Sequence, residues 1–288
     1  MESNFSYESM GTKWKVSIRE SIEIEKLKGL EEKIKSESER FDQTFSRFIP
    51  TSLISQIAEQ TGKIEVPADL TKMLQIYFDL YDLTEKKLNP LIGHTISDLG
   101  YDATYSLVPK EEVRKTPDLQ ETMRIIDETH IEMTKPALID LGALGKGYFV
   151  DRIAGILDEA GIKEYLVDGS GDIRCKGSLI KVGLEDPRDE TKVIGTLEMM
   201  TGSMASSGTN RRRWGKYHHV IDPHSNVSTK GIVATWVTAP TCALADALAS
   251  AFFFVSPEEL ADIYVCEYAL MNEEGKIKRS AGFAADLF

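Results

Sequence analysis

The stretch Ala137-Leu138-Ile139-Asp140-Leu141-Gly142-Ala143-Leu144-Gly145-Lys146-Gly147 decides how the rest of the chain is read. An apolar run interrupted only by Asp140 ends in a turn that carries three glycines. Beyond it Val150, Ile153, Ala154 and Leu157 recur at three- and four-residue steps, which predicts an amphipathic helix, and Gly161 stands where a helix stop is expected. Glu164 to Val167 then reads as a strand entering a second polar turn, Asp168-Gly169-Ser170-Gly171-Asp172. Strand, glycine turn, helix and strand in succession predict α/β layering across residues 137–183.

Toward the N-terminus, Trp14, Val16 and Ile18 alternate within Lys13 to Arg19 and predict a strand. The charged stretch that follows places Leu27, Leu30, Ile34 and Phe41 near one face of a helix, its charges forming a solvated face. After Pro67 the stripe Leu70, Met73, Leu74, Tyr77, Phe78 and Tyr81 predicts another helix and belongs to the core. Toward the C-terminus, Ala205-Ser206-Ser207-Gly208-Thr209-Asn210 reads as a polar loop, Ile232 to Thr238 as a strand, and the segment after Pro240 as a helix burying Leu244, Ala247, Leu248, Ala251 and Phe252. Ser256-Pro257-Glu258-Glu259 predicts a helix start with Ser256 as cap and Glu259 as its capping-box partner. Asn272-Glu273-Glu274-Gly275 reads as a hairpin turn.

Composition removes several classes of function. The formal net charge of -12 over 288 residues opposes binding to duplex nucleic acid or anionic lipid. An acidic chain that handles a phosphorylated ligand must therefore neutralise it locally. Cys175, Cys242 and Cys266 lie far apart without a CxxC pair, which fits neither a disulfide framework nor a zinc ribbon. No run reaches the ~20 apolar residues of a membrane span. The N-terminal segment has no basic region followed by an apolar run, so no signal peptide is read there, and the expected compartment is the cytoplasm.

Four constellations can carry chemistry. The glycines at 142, 145 and 147 have the spacing G-x-x-G-x-G, not the dinucleotide pattern G-x-G-x-x-G. A Walker A loop would need glycine where Asp140 stands and Ser or Thr where Gly147 stands. Spacing alone leaves a structural turn and a phosphate-approaching loop both open. Asp246 and Ser250, four apart on a helix, project from one face as hard oxygen donors suited to Mg²⁺; Asp246 could equally complement the helix dipole. His218-His219-Val220-Ile221-Asp222-Pro223-His224 offers general acid–base chemistry, a histidine-bearing surface strand, or a soft-metal site that lacks a completing ligand set. Arg211-Arg212-Arg213-Trp214 is an anion contact or an ion-paired edge.

Taken in order, these segments resemble the ApbE family, the FAD:protein FMN transferases. Met10-Gly11-Thr12, Phe45-Ser46-Arg47-Phe48 with Ser52, and Leu88-Asn89-Pro90-Leu91-Ile92-Gly93 are similar to three of its blocks. Ile139-Asp140-Leu141-Gly142-Ala143-Leu144-Gly145-Lys146-Gly147-Tyr148-Phe149-Val150-Asp151 resembles its most diagnostic stretch. Ser206-Ser207-Gly208, His219-Val220-Ile221-Asp222-Pro223 and Ala245-Asp246-Ala247-Leu248-Ala249-Ser250-Ala251 match three more. Here Ser250 stands for the family's threonine and keeps the hydroxyl. Asn89 stands for an aspartate, Leu91 for a threonine and Ser170 for a glycine. Asn210 stands for an aromatic, and His224-Ser225-Asn226 for Arg-Thr-Gly.

The resemblance implies an α+β fold with a mixed or antiparallel sheet. It would be one T-fold-like unit over residues 1–288, with two subdomains around an FAD cleft as the variant. It implies Mg²⁺-dependent transfer of FMN from FAD to a Thr or Ser hydroxyl of a target flavoprotein, with release of AMP. Mg²⁺ would be held by Asp246, Ser250 and the carbonyls of Ala143 and Ala249. Met10, Phe48, Asn89, Asp140, Lys146 and the backbone around Ile221 would contact flavin and pyrophosphate. Lys146 would neutralise charge and His219 would act as base. The alternatives are an FAD pyrophosphatase giving free FMN and AMP, and a non-catalytic FAD-binding protein.

Overall fold

Alternation along Thr12–Ile18 buries Trp14, Val16 and Ile18 completely, and that strand lies within the sheet that organises the molecule. The computed structural model describes residues 2–288. Eight strands stand side by side in chain order: β1 (Ser3–Ser9), β2 (Thr12–Ile18), β3 (Tyr165–Asp168), β4 (Ile173–Lys176), β5 (Gly202–Gly208), β6 (Ile232–Ala239), β7 (Glu267–Asn272) and β8 (Ile277–Arg279). Every neighbouring pair is antiparallel. Because successive strands reverse direction, the β1–β2, β3–β4 and β5–β6 connections share one end of the sheet. Met10, the Asp168–Asp172 turn and the His219 loop are thereby brought to the same end. Thr12 Oγ1 donates to Ser170 Oγ at 2.6 Å and joins the first two of these turns.

The long connections carry the helices. Between β2 and β3 run α1 (Ile24–Phe45), α2 (Ala68–Tyr81) and α3 (Gly145–Glu159); α4 (Cys242–Ala251) lies between β6 and β7. The stripes predicted for α1 and α2 are buried as read, except that Leu27 and Phe78 are only partly covered. Phe149 of α3 sits 4.9 Å from the Phe41 ring of α1 and 5.3 Å from Trp14 of β2, so one aromatic cluster ties both helices to the sheet. Side-chain alternation divides the strands between two cores. Val237, Tyr268 and Leu270 join the cluster under the helices, while Trp236, Ala269 and Met271 meet the hairpin Ile180–Asp186/Asp189–Met199. No helix among the described residues is long and apolar enough to cross a membrane.

Three expectations are corrected. Residues 137–141 pair with no strand. Their backbone is satisfied by the turn at Pro90–Ile92, with Asp140 N–H donating to the Pro90 carbonyl at 2.7 Å and Gly93 N–H to that of Leu138 at 3.2 Å. That approach requires Gly93, because a Cβ there would lie 2.6 Å from the Leu138 oxygen. The serine-rich segment from Ala205 to Gly208 is strand, not loop. Its backbone pairs with β6, and Ala205 packs on Ala239 and Ala245 beneath α4, so small side chains here are a packing requirement that polarity conceals. Ser256 does occupy the N-cap position but accepts no capping bond; its hydroxyl donates to Glu258 at 2.5 Å instead.

Helices α3 and α4 cap each other. Asp151 of α3 accepts from the N–H groups of Cys242 and Ala243 at 3.0 and 2.9 Å, and Asp246 of α4 accepts from Gly147 N–H at 3.0 Å. These are orphan donors of the two first turns. Gly147 permits the approach: a Cβ there would fall on the Cys242 carbonyl oxygen and 2.8 Å from Asp246 Cβ. Gly147→Ala is therefore expected to destabilise the protein by about 3 kcal/mol, the upper end of overpacking costs, despite alanine's better helix propensity. Urea unfolding of the two proteins measures the difference.

Candidate active site

The turn predicted from 140 to 147 is fixed from several sides. The Asp140 carboxylate forms an ion pair with Arg47 and accepts from Gly142 N–H at 2.7 Å. Arg47 is buried; it also donates to the Tyr101 carbonyl at 2.9 Å and lies 4.1 Å above the Phe48 ring. Asp140 is thus held by a fixed cation, and Phe48 is carried beside it. Tyr77, from α2, donates to the Asp140 carbonyl at 3.1 Å and accepts from Ala143 N–H at 3.3 Å. Ala143 lies before the helix, and its carbonyl accepts from the Ser250 hydroxyl at 3.3 Å.

Charge in this region does not balance within the protein. Asp246 is 2% exposed and Asp172 is fully buried; Lys146 is ion-paired to Asp172, and the charge of Arg212 also bears on Asp246. Burial and the charge of Asp172 push the Asp246 carboxyl up to about 8, with Lys146 opposing. Burial likewise raises Asp172 against the pull of Lys146, and its Oδ1 has no partner. Two buried carboxylates this close, only partly offset by Lys146 and Arg212, favour a proton or a cation between them.

The available donors fit a hard divalent cation. They are the Asp246 carboxylate, Ser250 Oγ and the Ala143 carbonyl, with the Ala249 carbonyl, which accepts from Thr235 Oγ1 at 2.7 Å, in the same helix turn as Ser250. No metal-binding trio of His, Cys, Asp or Glu side chains occurs among the described residues, so a cation would complete its shell with carbonyl, hydroxyl and water or phosphate oxygens.

His219 stands in the β5–β6 loop, its N–H donating to the Arg212 carbonyl at 3.1 Å. Nδ1 is buried without a partner, and the ring is half-buried. Burial, with the positive charges of Arg212, His218 and Lys146, lowers its pKa to about 3. It is neutral at physiological pH and able to accept a proton. His218 is turned inward, Nε2 lying 3.0 Å from the Thr229 carbonyl. Ile221 is buried and paired with Ser228 across a two-residue ribbon. Arg211 pairs with Glu185, the edge-type ion pair weighed from the sequence, whereas Trp214 is buried against Tyr101 at 5.5 Å.

Of the predicted residues, Asp140, Ala143, Lys146, Asp246, Ala249 and Ser250 are gathered around the α3–α4 junction, with Phe48 and His219 adjoining. Met10, at φ 50°, occupies the β1–β2 turn and packs against the core. Asn89 is 6% exposed and its amide serves the fold, Oδ1 accepting from Leu91 N–H and Nδ2 donating to the Pro117 carbonyl, both at 2.9 Å. Sequence reasoning missed the pairing partners Arg47 and Asp172 and the bridging Tyr77. Arg47 and Asp172 sat inside recognised blocks, but only distance in space reveals what they touch. A groove of about 650 Å³ along α1, α2 and α3, lined by Asp69, Arg152 and Arg174, contains none of the gathered residues.

Comparison with known proteins gives this geometry a context. The model of the ApbE family matches residues 10–269. The FAD:protein FMN transferase of Escherichia coli K12 is 25% identical over 279 residues, spanning 88% of this chain and 79% of that protein. The Haemophilus influenzae protein of the same name is 24% identical over 247 residues, spanning 76% and 70%. Among solved structures, the ApbE protein of Thermotoga maritima superimposes with a TM-score of 0.82 and flavin transferase ApbE of Vibrio cholerae with 0.80, each 21% identical and covering 98% of both chains. These structures share the fold.

The charge imbalance makes stability depend on pH. A carboxyl whose pKa rises from 3.8 to about 8 on folding contributes fully below the lower value and loses that contribution as pH rises to the upper one. His219 acts oppositely, but only between about 3 and its ordinary 6.5. Between pH 6.5 and 8 the Asp246 slope is therefore uncancelled within the site. The cation-free protein is expected to lose up to about 1.4 kcal/mol per pH unit there, and Asp246→Asn, which retains an acceptor for Gly147 N–H, to flatten the slope. Urea midpoints across the interval check both.

Proposed function

The chain belongs to the ApbE family, and from that premise we propose that it transfers the FMN half of FAD to a serine or threonine hydroxyl of a target flavoprotein, with release of AMP. The observation that carries the reading is the pairing of a buried, under-neutralised acidic oxygen cluster with a neutral histidine at the same sheet end. The first suits a cation and a pyrophosphate, the second a proton-bearing nucleophile.

The acceptor hydroxyl attacks the phosphorus nearest riboflavin. A new P–O bond forms to the acceptor oxygen, the bond to the bridging oxygen breaks, and that oxygen departs on AMP. His219 takes the hydroxyl proton at Nε2, since Nδ1 is buried, and its low pKa favours returning the proton to solvent or product. Lys146 carries its ammonium against the pyrophosphate while remaining near Asp172. Phe48 and Met10 supply apolar surface at the flavin end, and Asp140, oriented by Arg47, supplies a fixed acceptor. Mg²⁺ held by Asp246, Ser250 and the Ala143 and Ala249 carbonyls would neutralise phosphate oxygens and the charge arising on the departing phosphate. Docking of the acceptor loop supplies the positioning that lets a weak hydroxyl compete with water.

Intact-protein mass spectrometry tests the reading. A flavoprotein acceptor incubated with FAD, Mg²⁺ and this protein is expected to gain one FMN. Asp246→Ala is expected to abolish the gain, and His219→Ala to slow it by about 100-fold or more. Free FMN and AMP with an unmodified acceptor would indicate a pyrophosphatase instead. Intact FAD across cognate acceptors would reject catalysis and leave a binding protein.

A further inference from the structure

Two buried hydroxyls in the molecule touch the backbone of the site without pointing into it. Tyr77 is 2% exposed and its hydroxyl joins the Asp140 carbonyl at 3.1 Å to the Ala143 N–H at 3.3 Å, bridging the two sides of the glycine turn. Thr235, fully buried in β6, donates to the Ala249 carbonyl at 2.7 Å. Ala143 and Ala249 are the residues whose carbonyls the cation-assisted reading counts among the metal donors. Neither hydroxyl is free to serve a ligand itself.

We propose that Tyr77 and Thr235 are positioning residues that set the Ala143 and Ala249 carbonyls for a divalent cation. The inference rests on the cation-assisted reading above and extends it to residues that touch neither cation nor substrate. The physical reason is local. Ala143 lies before the first turn of α3, so its carbonyl carries no helical bond, and Gly147 N–H goes to Asp246. Ala143 is consequently held by Tyr77 on its N–H side and by the Ser250 hydroxyl on its carbonyl side. Removing the Tyr77 contact frees one side of the turn, and the carbonyl can then rotate away from the donor set. Thr235 acts from the sheet, fixing the last turn of α4, which also carries Ser250, against β6. Its hydroxyl polarises a carbonyl whose second lone pair stays available. Partners of this kind raise metal affinity by orienting the ligands rather than by adding one.

The test uses the whole protein with Mn²⁺ alone as probe, its binding followed by electron paramagnetic resonance without FAD. Tyr77→Phe and Thr235→Val are each expected to weaken Mn²⁺ binding by about 10-fold, while Thr235→Ser binds like the native protein. With Mg²⁺ raised to saturation, FMN transfer by both weakened variants is expected to return to about the native rate. Unchanged Mn²⁺ affinity in both, whatever the melting temperature does, overturns the inference, because only a structural role would then remain. Should Tyr77→Phe fail to fold, the Thr235→Val and Thr235→Ser pair decides alone. Absence of Mn²⁺ binding to the native protein would instead remove the cation site, and the inference with it.

Discussion

The reciprocal capping of α3 and α4 is the interaction on which the site depends. Each helix offers a carboxylate to the first turn of the other: Asp151 to Cys242 and Ala243, and Asp246 to Gly147. The bonds need the helices at close range, and Gly147 allows that range by presenting no side chain to the Cys242 carbonyl. The same contact sets the chemistry. Asp246 satisfies the otherwise unpaired Gly147 N–H and is itself a buried carboxyl that favours a proton or a cation. Packing and electrostatics are therefore coupled at one residue. A change that loosens the helix pair would also rehydrate Asp246 and lower its affinity for a proton or cation.

The sheet gives this pair its surroundings. Antiparallel strands in chain order send alternate connections to one end, so three segments distant in sequence converge there. Arg47, from the residues just after α1, then links Asp140 to the Phe48–Tyr101 aromatic group. Each anchor is a buried charge with a partner, which fixes position strongly because a stranded charge would be costly.

Much of this was legible in the sequence where periodicity or turn chemistry is local. Helices α1 to α4 follow stripes at three- and four-residue steps, and Gly161 and Gly275 take the left-handed conformations their turn positions call for, at φ 77° and 79°. Individual site residues were legible mainly through ordered resemblance, since Asp246 with Ser250 or a lone glycine turn is common. What escaped was whatever depends on distant partners. Residues 137–141 have strand-like composition, yet the Pro90–Ile92 turn claims their hydrogen bonds. The serine-rich β5 reads as a loop until its backbone is seen paired with β6 beneath α4. Asn89, expected at a ligand, has its amide engaged by Leu91 N–H and by the distant Pro117 carbonyl. Tyr77 was assigned to the core by its stripe, correctly for its ring; its hydroxyl has a separate role that no spacing encodes.

The order of strands in the sheet also bears on how the protein is made. β3 cannot pair with β2 until residues 165–168 exist, and Lys146 lacks Asp172 until the next turn has been synthesised. The first turn of α3 waits longer still, for Asp246. Until residue 246 has been synthesised, α3 emerges with an uncapped first turn and the site around it is not assembled. Non-local closure of this kind folds slowly and leaves apolar surface exposed meanwhile. Chains that stop short of Asp246 should therefore be candidates for chaperone capture and lack the assembled site.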